Sequence, residues 1–212
     1  KGQGAILDAR FVDAEGGQLK ASDSASGFIQ DCFLHDYNLG SNPIIFSQDA
    51  SYVYVSRTHI SNYYEINLVR SLATVEDCLF EFTTADAIDF DNAPAGTVIR
   101  RTTIRYGRGT NIDAIDWGKV DFKPPGSQGL VENCLVHDFS DKGVSVGEGC
   151  LGVTVKGSLF YRCGAGVAVK DSSLATIYNN TFYQNEYAIE AVEKNEGLGG
   201  GHGVAYNNIF WR

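Results

Sequence analysis

The sequence predicts an all-β chain wound as a right-handed parallel β-helix of about nine coils, and three observations predict it. A frame of one apolar residue, four intervening positions and a second apolar residue recurs along the chain, at a mean spacing of about 25 residues. Just after the first apolar residue of each frame stands a residue suited to a left-handed bend, followed by a small or hydrogen-bonding one. About ten residues further on comes an apolar–polar–apolar triplet, the alternation of a strand with one buried face.

The frames run from Leu7 to Val12, Ile29 to Leu34, Val55 to Ile60, Val75 to Phe80, Ile99 to Ile104, Val131 to Val136, Val155 to Phe160, Ile177 to Phe182 and Ala205 to Phe210. The bend positions are Asp31, Arg57, Asp77, Arg101, Asn133, Gly157, Asn179 and Asn207. The next column, Cys32, Thr58, Cys78, Thr102, Cys134, Ser158, Asn180 and Asn208, reads as an inward ladder at a tight turn. The triplets are Ile44-Ile45-Phe46, Ile66-Asn67-Leu68, Ile88-Asp89-Phe90, Ile115-Asp116-Trp117, Val144-Ser145-Val146, Val167-Ala168-Val169 and Ile189-Glu190-Ala191. Their outer members point inward, which makes Trp117 a core residue, and their middle members point out. Longer excursions fall at Gly118 to Gln128, with Pro124-Pro125, and at Glu196 to Gly203. Repeats rich in Val, Ile, Thr, Asn and Gly suit three short strands per coil and do not suit helical repeats.

Composition narrows the function. The 212 residues carry 17 Lys+Arg against 26 Asp+Glu, a net charge of -9, which argues against nucleic acid or an anionic membrane as partner. No apolar run reaches the roughly 20 residues of a membrane-spanning helix. The five cysteines are odd in number and form no CxxC, so neither a disulfide scaffold nor a zinc ribbon fits, and three of them occupy the inward ladder. His35 and His137 share a structural column, whereas His202, between Gly201 and Gly203, falls in a loop where it could touch a ligand.

The outward residues concentrate acidity. Asp86, Asp89 and Asp91 lie on one coil and Asp113 and Asp116 on the next, with Asp89 over Asp116 and Asp86 over Asp113. Stacked carboxylates repel and raise one another's pKa, so they call for a counter-ion, a ligand or neighbouring arginines. Three readings stand open: a Ca²⁺ site at Asp89, Asp91 and Asp116; an acid–base pair for glycoside cleavage; and a solvated acidic stripe. Further along the face come Lys142, Ser145 and Glu148, then Lys170, then Tyr187 and Glu190, a polar row able to hold a polymer lengthwise. Tyr178 and Tyr206 share a column, where tyrosines pack on their own ladder or stack on sugars.

Over nearly its whole length this pattern resembles the right-handed parallel β-helix proteins of the pectate-lyase-like superfamily. These include polysaccharide lyases, polygalacturonase-type hydrolases and noncatalytic xylan-binding modules. Thr84-Ala85-Asp86-Ala87-Ile88-Asp89 is similar to the polygalacturonases' Asn-Thr-Asp-Gly-Ile-Asp, and Asp141-Lys142-Gly143-Val144-Ser145-Val146-Gly147 resembles their Gly-His-Gly followed by Ile-Ser-Ile-Gly. Three features depart from that family: Ile112-Asp113 where it has Asp-Asp, Lys142 for its histidine, and Ala168-Val169-Lys170 for its Arg-Ile-Lys.

The resemblance and the departures together lead to the expectation of a noncatalytic module that binds a plant cell-wall polysaccharide, xylan-like, with Ca²⁺ at Asp89, Asp91 and Asp116. Its carbohydrate contacts are expected at Asp86, Asp113, Lys142, Glu148, Lys170, Tyr187 and Glu190. A final coil ending in a strand at Trp211-Arg212 suggests one domain, residues 1–212, of a longer secreted chain that also carries a catalytic domain. The alternatives are a lyase or hydrolase using Asp86, Asp89, Asp113 and Asp116 with Lys142 or Lys170, and a structural or adhesion solenoid.

Overall fold

The computed structural model describes residues 4–37, 41–119 and 126–212. Every strand pairing in it is parallel and joins residues about one repeat apart in sequence. One sheet stacks nine strands, from Ile6–Arg10 through Tyr52–Ser56 and Val98–Arg100 to His202–Tyr206. Nine strands in file make eight full turns, so the solenoid is about 40 Å long at roughly 4.8 Å per turn. The second sheet holds two files of strands side by side. They fuse into single 12-residue strands at Leu135–Val146 and Leu159–Lys170.

The repeat columns become the core. Ile29, Val55, Val75, Ile99, Val131, Val155 and Ile177 are all at most 1% exposed and stack on one another. Phe160, Phe182 and Phe210 stack at 5.4 and 5.5 Å, and Phe90 lies 4.4 Å from Trp117, which is fully buried as expected. Gly166 admits this packing, because a Cβ there would stand 2.4 Å from Phe182 Cδ1 and 2.7 Å from the Ala188 carbonyl oxygen.

All eight predicted bend residues adopt left-handed backbone, with φ between 46° and 63°. Neighbouring bends also pair by charge: the Arg57 guanidinium grips Asp31 at 2.7 and 2.8 Å, and Arg101 grips Asp77 at 2.8 Å. Beneath them the ladder forms as predicted. Cys32 N–H donates to Thr58 Oγ1, Cys134 N–H to Ser158 Oγ, Ser158 N–H to Asn180 Oδ1 and Asn180 N–H to Asn208 Oδ1. The five cysteines are free and buried, and burial pushes the Cys78 and Cys150 thiols up to about 12.

Three expectations need correction. The first coil is anchored by Ala9 and Ala14, which register on Ile29 and Leu34, two residues beyond the expected frame from Leu7 to Val12. A two-residue slip keeps the same face inward, so alternation alone does not reveal it. In the second coil Ile45 and Ser47 register on Ile66 and Leu68 and point inward, while Phe46 points out beneath Lys20. Ser47 is tolerated in the core because its hydroxyl pairs with Ser71 Oγ at 2.6 Å. His202 begins a strand of the first sheet, with its N–H donating to the Ser173 carbonyl, so it lies in no loop and away from the acidic face. Pro124 and Pro125 lie outside the described residues.

Candidate functional site: an acidic face on the second sheet

The second file of the second sheet positions the site. Its strands Ile66–Val69, Ile88–Asp91 and Ile115–Gly118 pair in register, and Ile115–Gly118 pairs onward with Leu135–Val146. This puts Asn67, Asp89, Asp116 and Ser145 in one outward column, one coil apart. The inward neighbours Ile66, Ile88, Phe90, Ile115, Trp117 and Val144 are fully buried and fix that orientation.

A second column is held by main chain. Asp86 Oδ1 accepts the Asp113 N–H at 2.6 Å, and Asp113 Oδ1 accepts the Lys142 N–H at 3.0 Å. Each carboxylate therefore ties its own coil to the next, confirming that Asp86 stands over Asp113. Lys142 Nζ lies 3.5 Å from Asp113 Oδ1 and forms an ion pair with Asp141. Burial alone would lower the pKa of the Lys142 ammonium, but the charges of Asp113 and Asp141 outweigh it and hold it above the usual lysine value.

Glycines clear the third column. A Cβ at Gly118 would stand 3.2 Å from Glu148 Oε2 and 3.5 Å from Asp91 Oδ1, so both carboxylates lie over this bare backbone. Glu148 Oε2 also accepts the Lys119 N–H at 2.9 Å. One coil on, a Cβ at Gly147 would stand 3.1 Å from Lys170 Cε, so the buried Lys170 lies back along the stack over Gly147. The charge of Lys170 is felt at both Asp86 and Asp113.

The electrostatics set this face apart. Burial pushes the Asp89 carboxyl up to about 9, aided by the charges of Asp91 and Asp116. Burial likewise lifts Asp113 and Glu65 to about 7, and Asp86 and Asp91 to about 6. Several acids elsewhere are paired: Arg57 with Asp31, Arg70 with Asp49, Arg105 with Glu81 and Arg162 with Asp138. Among the described residues, Glu65, Asp86, Asp89, Asp91 and Asp116 have no cationic side chain within ion-pair distance, although Asn67 Nδ2 donates to Asp89 Oδ2 at 2.8 Å. Ser145 is fully buried, and its hydroxyl has no hydrogen-bond partner.

A family described as right handed beta helix region matches residues 74–210. The chain belongs to this right-handed β-helix family. No curated protein matches it. Among solved structures, it is similar to the catalytic domain of a GH87 alpha-1,3-glucanase in complex with tetrasaccharides, at 12% identity and a TM-score of 0.43. That likeness covers 97% of this chain and 60% of the other.

The fold thus brings together Asp86, Asp89, Asp91, Asp113, Asp116, Lys142, Glu148 and Lys170 within four adjoining coils of this β-helix. Tyr187 and Glu190 register on Ala165 and Ala168, further along the same face; Tyr187 is exposed and Glu190 partly buried. Tyr178 and Tyr206 stack on each other at 4.9 Å on the first sheet, so they pack on their own ladder away from the acidic face. Sequence reasoning missed Glu65, Asn67 and Asp141. Asn67 was visible as the middle of its triplet, and Glu65 stands one residue before that triplet. Asp141 matters through its ion pair with Lys142, which no spacing announces. Asp89, Asp91 and Asp116 have the oxygen chemistry a Ca²⁺ ion takes. Among the described residues, however, no three His, Cys, Asp or Glu side chains are grouped to hold an ion.

Proposed function

We propose that the second-sheet face is the polysaccharide-binding surface of a noncatalytic module, holding a glycan chain along the solenoid axis. The observation that carries this reading is the column Asn67, Asp89 and Asp116, three partly exposed polar side chains spaced one coil apart on a rigid sheet, which the buried Ser145 continues. Groups repeating at roughly 4.8 Å suit successive hydroxyls of an extended polymer, and a stiff scaffold presents them with little ordering cost. Asp86, Asp113, Lys142, Glu148 and Lys170 flank the column, and Tyr187 and Glu190 extend it. A xylan-like chain is the ligand proposed from the sequence resemblance. The test is affinity electrophoresis in gels containing xylan, pectin, alginate or chitosan. Retardation by at least one supports the reading, and unchanged mobility in all of them overturns it.

Calcium is proposed as an accessory ligand of Asp89, Asp91 and Asp116, whose side chains would turn toward one another to share the ion. Chelator should then lower the melting temperature, and an unchanged melt removes the ion from the proposal. The module is further proposed to sit in a longer secreted chain beside a catalytic domain, which sequencing the flanking gene would test.

One observation favours glycoside or uronate cleavage as a second reading. Asp86 and Asp113 are neighbouring carboxyls with raised pKa values, and acid–base chemistry near neutral pH uses such pairs. Asp89 and Asp116, with Lys142 or Lys170, would complete that centre. Sustained release of reducing ends, or absorbance at 235 nm from unsaturated products, would establish it and displace the noncatalytic reading.

A further inference from the structure

We infer that the polymer this face is built to hold carries amines, and that its natural ligand class is a glucosamine-type polysaccharide with free ammonium groups. This rests on the polysaccharide-binding reading and names the substrate class of the same surface, in place of the xylan-like chain that the sequence resemblance suggests.

The first argument is charge. Around the solenoid, acids on one coil are gripped by arginines from an adjoining coil, as in the pairs Asp31–Arg57, Asp77–Arg101 and Asp138–Arg162. The chain therefore has an established way to neutralise stacked acids, and among the described residues no arginine plays that part here. Among the described residues, Glu65, Asp86, Asp89, Asp91 and Asp116 lack a cationic partner. Such carboxyls repel one another and gain most from an external positive charge.

The second argument is arrangement. As their side chains stand, no three acids among the described residues are grouped to hold a metal ion. They stand in adjacent rows along the axis, Asp89 over Asp116 and Asp86 over Asp113, with Asp91 beside Asp89 on the same strand. A line of acids fits a ligand whose positive charges are also spread along a line, and each ammonium brings three donors to carboxylate oxygens.

The third argument is independent of charge. Ser145 continues the Asp89–Asp116 column, between inward-pointing Val144 and Val146, so its hydroxyl faces the same way as those carboxyls. It is fully buried and unpartnered, which is costly unless a ligand group completes it. The lysines limit the ligand's reach. Lys142 and Lys170 guard the far end of the column, so the ammonium groups belong on the coils of Glu65, Asp89 and Asp116.

The test is isothermal titration in EDTA near pH 7, where the ligand's ammonium groups take the place of protons that the free face holds, with three oligosaccharides of equal length: glucosamine, N-acetylglucosamine and xylose pentamers. Acetylation removes the positive charge and keeps the sugar backbone, so the first two separate the amine from the glycan. The glucosamine pentamer should bind at least about tenfold more tightly than the other two, in a salt-sensitive way. Asp89→Asn should weaken it about tenfold, while Asp23→Asn, which removes one exposed charge elsewhere, should leave it within about twofold. Asp89→Asn relieves repulsion, so the variant remains folded. Equal affinity for the acetylated or xylose pentamer overturns the amine and leaves glycan binding standing. Equal weakening by Asp23→Asn reduces the effect to nonspecific attraction and also overturns it. Binding of none of the three overturns the inference, and the gels with other polysaccharides then decide the wider reading separately.

Discussion

Replacing Asp89 with asparagine should make the protein more stable at neutral and alkaline pH. Asp89 is partly exposed, and its carboxyl faces the charges of Asp91, Asp116, Glu65 and Asp86, with the Asn67 amide as its hydrogen-bond donor. Asparagine keeps an oxygen for that amide and removes the ionisable proton. The folded chain holds the Asp89 proton up to about pH 9, whereas the unfolded chain releases it near the ordinary carboxyl value. Stability associated with this group is therefore fully present below about pH 4 and falls as pH rises through 9. At pH 7 the full cost is about 4 kcal/mol, at roughly 1.4 kcal/mol for each pH unit above the unfolded value. Solvent screening and the shared titration of the neighbouring acids reduce the expected gain from Asp89→Asn to about 1–2 kcal/mol. That gain corresponds to a rise of about 2–8 °C in Tm for a chain of this size. The assay is thermal unfolding of both proteins in EDTA from pH 4 to 9. The gain should vanish near pH 4 and be largest above pH 8. A variant that is less stable at pH 8, or one whose gain persists unchanged to pH 4, would refute the picture of an unneutralised carboxyl.

Other substitutions probe the scaffold. Gly166→Ala places a methyl 2.4 Å from Phe182 Cδ1 and 2.7 Å from the Ala188 carbonyl oxygen, and should cost about 1–3 kcal/mol in urea unfolding. Asn180→Ala removes the acceptor of the buried Ser158 N–H and the donor to the Val155 carbonyl, and should cost a similar amount, about 1–3 kcal/mol, by the same measurement. Arg57→Ala breaks the exposed pair with Asp31 and a weaker contact with Tyr54, so its cost should stay below about 1 kcal/mol. The five buried thiols should resist a thiol reagent in the native protein and react together once it is unfolded in urea.

The solenoid was legible because its determinants are local and repeated. A left-handed bend admits few residue types cheaply, so Asp31, Asn133, Gly157 and Asn179 mark the corners in the sequence itself. The Cys, Thr, Ser and Asn ladder beneath them was readable for the same reason, since its small polar side chains bond from coil to coil. Legibility failed where side-chain size or hydrophobicity did not report direction. Ala9 is a weaker anchor than Leu7 to the eye, and a slip of two residues costs the pattern nothing. Ser47 points inward where hydrophobicity would have placed Phe46, because Ser71 completes its hydroxyl. On the site, the stacking of Asp89 on Asp116 followed from the period alone. The burial of Lys142 and its tie to Asp141 depend on contacts made only when the coils close up.

The central claim is that the carboxyl-rich face of the second sheet binds a glycan lengthwise. Amide chemical-shift mapping of ¹⁵N-labelled protein with the glucosamine pentamer tests it most directly, because it locates the ligand whatever its affinity class. The account predicts shifts confined to the strands Ile66–Val69, Ile88–Asp91 and Ile115–Gly118 and to Ser145 with its neighbours. Shifts centred on the first sheet, or none at saturating ligand for this or any other glycan, would contradict it.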